Sequence, residues 1–134
     1  MAQSLIVASC VVVGVLGLVH AWLTFFSNRF DVRDASVQQA LTELSPRLTR
    51  QTTFWRAGVG FHASHSAGAV LFSLVFGYLA ITQAPLLLQS VVLFGIGALY
   101  LSSLTLLAWR YWFNIPQIGT SIATLLFIAG WCWP

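Results

Sequence analysis

The chain has no lysine. It has three acidic residues, Asp31, Asp34 and Glu43, and six basic ones, all arginine. Charged residues make up 7% of 134 positions, where a soluble domain carries about a quarter. So few charges cannot cover a globular surface against water, so most of the surface must face lipid. No nucleic-acid partner is expected. The sequence pI of about 9.4 comes from arginines set among apolar runs, which reads as membrane orientation rather than as a binding surface for phosphodiesters. Cysteine is almost as scarce. Cys10 and Cys132 stand near opposite ends of the chain and form neither a C-x-x-C nor a zinc spacing. They read as two buried small apolar side chains, and a disulfide between them would require the first and last helices to be neighbours. No carboxylate falls inside any long apolar run, which argues against a proton relay or a carboxylate-rich metal centre. A nucleophile–base pair and a phosphate-binding loop are both missing, so the chain is expected to be non-catalytic.

What is present is apolar. Hydrophobic residues are 58% of the chain and the mean hydropathy is +0.85. A spanning helix needs about 20 mostly apolar residues, and four windows meet or approach that: residues 5–26, 54–81, 85–109 and 116–133, the last in a run that ends at Pro134. The first lacks a positive leading segment and a clean cleavage site, so it is read as a retained helix. The expected fold is an all-α integral membrane four-helix bundle, one domain over residues 1–134. Six tryptophans and three tyrosines suit the aromatic belts of such a bundle.

The connections set a direction. "TQAP", Thr82 to Pro85, is a tight uncharged turn, with Pro85 suited to a helix's first turn. Residues 27–53 form a long charged link, and "RYWFNIP" carries Arg110. With four spans, these last two lie on one side of the membrane, and the termini and "TQAP" on the other. All six arginines then fall on one side, which the positive-inside rule makes cytoplasmic. Both termini are expected in the periplasm of a bacterial inner membrane.

Within the link, Val37, Leu41, Leu44 and Leu48 recur at helical spacing. Ser36 with Gln39 matches a capping box, and Ser45-Pro46 reads as a second cap. A short amphipathic cytoplasmic helix is predicted, then a break, then a long helix. If that helix runs from Pro46 to Ile81 it is about 54 Å long.

The stretch "FWRAGVGFHASHSAGAV" holds the chemistry. His62 and His65 share a helix face, about 12 and 16 Å in from Phe54, and His20 lies about 9 Å from the same boundary. Three imidazoles at similar depth are candidates for a metal site, or for a haem held by His20 with His62 or His65. The alternative is structural. Gly60, Ser64 and Gly68 form a small-residue seam, with Ala63 and Ala67 beside it, and Gly17 continues the face of His20. In that reading His20 and His65 hydrogen-bond across closely packed helices, and no cofactor is needed. Arg56 and Arg110, each beside a tryptophan, read as snorkelling to phosphates or as a shared site for an anionic headgroup.

The run "RQTTFWRAGVGFHASHSAGAV", with "HAWLTFFSNRFDVRD" before it, resembles a family of small uncharacterised bacterial four-helix inner-membrane proteins. Trp55, Arg56, Gly60, Phe61, Ser64, His65 and Ser66 carry the resemblance, which is clearest from His20 to about Tyr78. Asparagine often stands in that pattern at the position of His62, so the resemblance favours His65 over a two-histidine motif. It implies the four-helix fold and no particular activity. The expected partners are the lipid bilayer and other membrane subunits or further copies of the chain, the expected role being an accessory subunit or small homo-oligomer. The alternatives are a metal- or haem-binding protein and a small-molecule or lipid binder or transporter.

Overall fold

A computed structural model describes residues 1–133; Pro134 lies outside the described residues. Among these residues there are six helices and no strand: α1 (Ala2–Phe26), α2 (Ala35–Glu43), α3 (Phe54–Thr82), α4 (Ala84–Gln89), α5 (Val91–Tyr111) and α6 (Asn114–Cys132). Four of them, α1, α3, α5 and α6, are long and apolar enough to cross a membrane. The chain is an all-α, multi-pass membrane protein. It divides into two compact units, one made of Met1–Leu16 with the chain from Ala69 onward, the other of Gly17–Gly68.

The first unit is held by stripes at helical spacing. Thr120, Ala123, Phe127 and Gly130 are buried along α6, and Gly97, Leu101, Leu104 and Ala108 along α5. Phe127 is the hub. Its ring lies edge-on to Phe76 at 5.6 Å between centroids, and Phe94, beside it, stacks on Trp131 at 4.5 Å. In lipid the hydrophobic effect no longer draws one helix to another, so close packing and interhelical hydrogen bonds must hold the unit. Ser9 Oγ donates to the Ala123 carbonyl at 2.7 Å, Ser73 Oγ donates to the Cys10 carbonyl, and the Thr105 and Thr124 hydroxyls meet at 2.9 Å. Two glycines permit the approach. A Cβ on Gly14 would lie 2.8 Å from Ser73 Oγ, and one on Gly130 would lie 2.9 Å from the Ala2 carbonyl. Cys10 is buried as expected, but Cys132, the last residue of α6, is exposed rather than buried, and both are free thiols.

Three further details differ from the sequence expectation. The third window is not one helix. Ser90 adopts an extended conformation (φ −90°, ψ 102°) between α4 and α5. Its N–H still bonds the Leu86 carbonyl at 3.2 Å, and its hydroxyl accepts from the Leu93 N–H at 3.2 Å. The serine thus satisfies the backbone groups that a break exposes. Secondly, α3 begins at Phe54, not Pro46, so it is about 43 Å long. Thr53 supplies the cap, its Oγ1 accepting from the Arg56 N–H at 3.3 Å. Thirdly, α2 is capped by Asp34 rather than by a Ser36–Gln39 box. Asp34 Oδ1 accepts from the Ser36 N–H at 2.9 Å and the Val37 N–H at 3.3 Å, while Gln39 turns to Glu43. No residue of α2 is buried.

Candidate functional site

The second unit brings the three histidines together. His20 comes from α1, and His62 and His65 from α3. His20 Nε2 lies 3.1 Å from His62 Nδ1. The His65 ring stands edge-on to His20 with centroids 5.2 Å apart, so His65 meets α1 at His20, as the helical register predicts. A fourth ring completes the group. Phe30, in the link just past α1, stacks on His62 at 4.4 Å and lies 5.0 Å from His20. All four side chains are half-buried.

The hydroxyls around this cluster are committed within their own helices. Thr24 Oγ1 donates to the His20 carbonyl at 2.8 Å, Ser66 Oγ to the His62 carbonyl at 2.9 Å, and Ser64 Oγ to the Phe61 carbonyl at 3.0 Å. Such back-bonding leaves His20 and His62 to satisfy each other. One ring nitrogen of that pair carries the proton and the other accepts it, so the contact needs at least one neutral imidazole. Proton sharing is what this arrangement does chemically, and it ties α1 to α3 inside an apolar span.

The cluster fits a cofactor poorly. Among the described residues no group of three or more His, Cys, Asp or Glu side chains is placed to hold a metal ion. His62 and His65 both have rings within 5.2 Å of His20, which leaves no gap for a porphyrin between facing axial ligands. A cleft beside the cluster is lined by Thr24, Ser27, Phe30, Trp55, Gly58, Val59 and His62, and its room of about 40 Å³ suits a water molecule.

The seam is where the sequence reading needs correction. Gly60 and Ser64 are exposed, and a Cβ on Gly60 would meet nothing within 4 Å. Ser64 turns its hydroxyl back to the Phe61 carbonyl of its own helix. Gly68 is half-buried, while Gly17 and Ser66 are buried. Helical spacing identifies a face of small residues but does not tell which side a neighbour occupies. Arg56, in the second unit, is exposed, and so is Arg110, in the first, with its guanidinium 5.2 Å from the ring centroid of Tyr111. Phe30 was not legible as a site residue. It is one phenylalanine among ten, in a charged link, with no periodic partner to mark it. Its single signal is its nearness in sequence to His20.

Comparison with protein-family models, with curated proteins and with solved structures finds no match to this chain.

Proposed function

We propose that the chain is a non-catalytic helical subunit of a membrane assembly, built with other membrane subunits or with further copies of itself. One observation carries this reading. The outward stripe of α3 begins Gly60, Ser64, Ala67, all exposed. Glycine costs a helix about 1 kcal/mol relative to alanine, and a lipid-facing position gains nothing in return. A small outward face does permit another helix backbone to come close, which is how helices associate without a hydrophobic driving force. The imidazole pair fits the same picture as an internal brace that sets α3 against α1. In this reading the chain belongs to the group of small bacterial inner-membrane proteins that it resembles. Residues 27–53 are cytoplasmic and both termini periplasmic, because that arrangement puts all six arginines on one side.

The test is native purification in a mild detergent, with the particle mass measured and co-purifying chains identified by mass spectrometry. The expected result is an assembly larger than one chain. Gly60→Leu and Ser64→Leu should reduce it to the single chain without unfolding it, because both positions are open within the chain. A wild-type protein that runs alone at its monomer mass would overturn the reading.

A further inference from the structure

The link between α1 and α3 ends in a closed loop. The Phe54 N–H donates to the Leu44 carbonyl at 3.0 Å, which pinches together two residues ten apart in sequence. Inside, the Thr49 N–H bonds the Pro46 carbonyl at 3.2 Å, and the Gln51 N–H bonds Thr49 Oγ1 at 3.1 Å. The loop is therefore a compact surface structure with its ends joined. Leu48, on this loop, is 93% exposed, and Leu44 and Phe54 at its neck are 58% and 48% exposed. An aliphatic side chain so bare is held out of water only if something apolar receives it.

Charge says what receives it. Arg47 and Arg50 flank Leu48, Arg56 follows one turn into α3, and all three are exposed. No acidic residue follows Glu43 anywhere in the sequence. Of the three acidic residues before the loop, Asp34 is occupied by the α2 amides, Glu43 accepts from Gln39 at 2.9 Å, and Asp31 stands in the link ahead of α2. The loop thus presents three cations and three apolar side chains with no acid among them. It leads directly into α3, a helix long and apolar enough to span the bilayer, so the nearest apolar phase is the membrane itself. Chain burial is not the alternative, since no protein covers the loop tip, where Leu48 is 93% exposed.

We propose that Leu44–Arg56 is a lipid anchor that inserts Leu48, with Leu44 and Phe54, below the headgroups and binds anionic phospholipid phosphates through Arg47, Arg50 and Arg56. Arginine suits this because its planar fork binds phosphate oxygens in pairs. Apolar insertion and cationic attraction reinforce one another at an anionic surface. The proposal does not depend on which leaflet the loop faces, nor on whether the chain assembles with partners.

The experiment is amide hydrogen exchange on the full chain in nanodiscs of phosphatidylcholine alone and of phosphatidylcholine mixed with phosphatidylglycerol. Exchange across residues 44–53 should slow by about tenfold in the anionic discs, and the difference should shrink as ionic strength rises. The double change Arg47→Gln with Arg50→Gln should remove the dependence on lipid charge. Leu48→Asp should remove the protection in both lipids. Exchange in α3, read from the same data, confirms that each variant is folded. Equal exchange of the loop in the two lipids would overturn the proposal, as would protection that survives both sets of changes.

Discussion

The two units solve the same problem with different materials. The first packs aromatic rings and glycines at close range and spends serine and threonine hydroxyls on carbonyls of neighbouring helices. The second buries only Gly17 and Ser66 fully. It relies on ring-to-ring contacts among three histidines and a phenylalanine, and it exposes both its small-residue stripe and its basic loop. Both units expose apolar side chains and an open glycine, Gly95 in the first and Gly60 in the second. What differs is how each is held together: by dense aromatic and glycine packing in the first, and by ring contacts around one histidine pair in the second.

The sharpest way to break this contrast is in the first unit. Phe127→Ala should lower stability by about 3–5 kcal/mol, because a side chain 1% exposed among three other aromatic rings leaves a cavity. Denaturant titration in detergent measures it, and a loss below about 1 kcal/mol would show that the aromatic core does not hold the first unit. In the second unit His20→Leu should cost about 1 kcal/mol, the scale of one interhelical hydrogen bond in a membrane. A double-mutant cycle with His62→Leu should show that the two losses are not additive. Gly60→Ala should raise the stability of the isolated chain by about 0.5–1 kcal/mol, since nothing stands in its way, while weakening any assembly. The smallest effect is at α2. Hydrogen bonds from the Ser36 hydroxyl and from the Val37 and Ser36 amides hold the Asp34 carboxyl below its ordinary range. A carboxyl depressed by folding supports the folded form above its ordinary value and loses that contribution as pH falls through the depressed one. The Ser36 and Val37 amide resonances should therefore titrate at a pH below the usual aspartate range, and α2 should fray there. Asp34→Ala should fray it at neutral pH.

The spans were legible because lipid demands long apolar runs, and nothing else in such a chain produces them. The boundaries of α2 were nearly legible, since Val37, Leu41 and Leu44 mark a period and an aspartate stands just before it. The break at Ser90 was not, because hydropathy barely registers one serine in "PLLLQSVVLF", and the break depends on a hydroxyl turning to an amide three residues on. Ser45-Pro46 has the composition of a helix start, yet Pro46 opens a turn, and Thr53 caps α3 instead. The three histidines were legible as a group from depth alone. Their geometry was not, because the approach of Phe30 and the contact between Nε2 and Nδ1 depend on where the link folds back. The stripe Gly60–Ser64 was legible as a face and misassigned in direction.

The two thiols have a practical consequence. Cys10 lies in the core beside Ile6 and Val13, whereas Cys132 stands exposed at the end of α6. An alkylating reagent should therefore modify the folded chain once. The unaltered sequence carries its own single attachment point for a fluorophore or spin label. It also carries its own sidedness gauge. A membrane-impermeant maleimide added to intact cells should react with Cys132 if the carboxyl-terminal end of α6 faces outward, and should leave the protein unlabelled until lysis if it faces the cytoplasm.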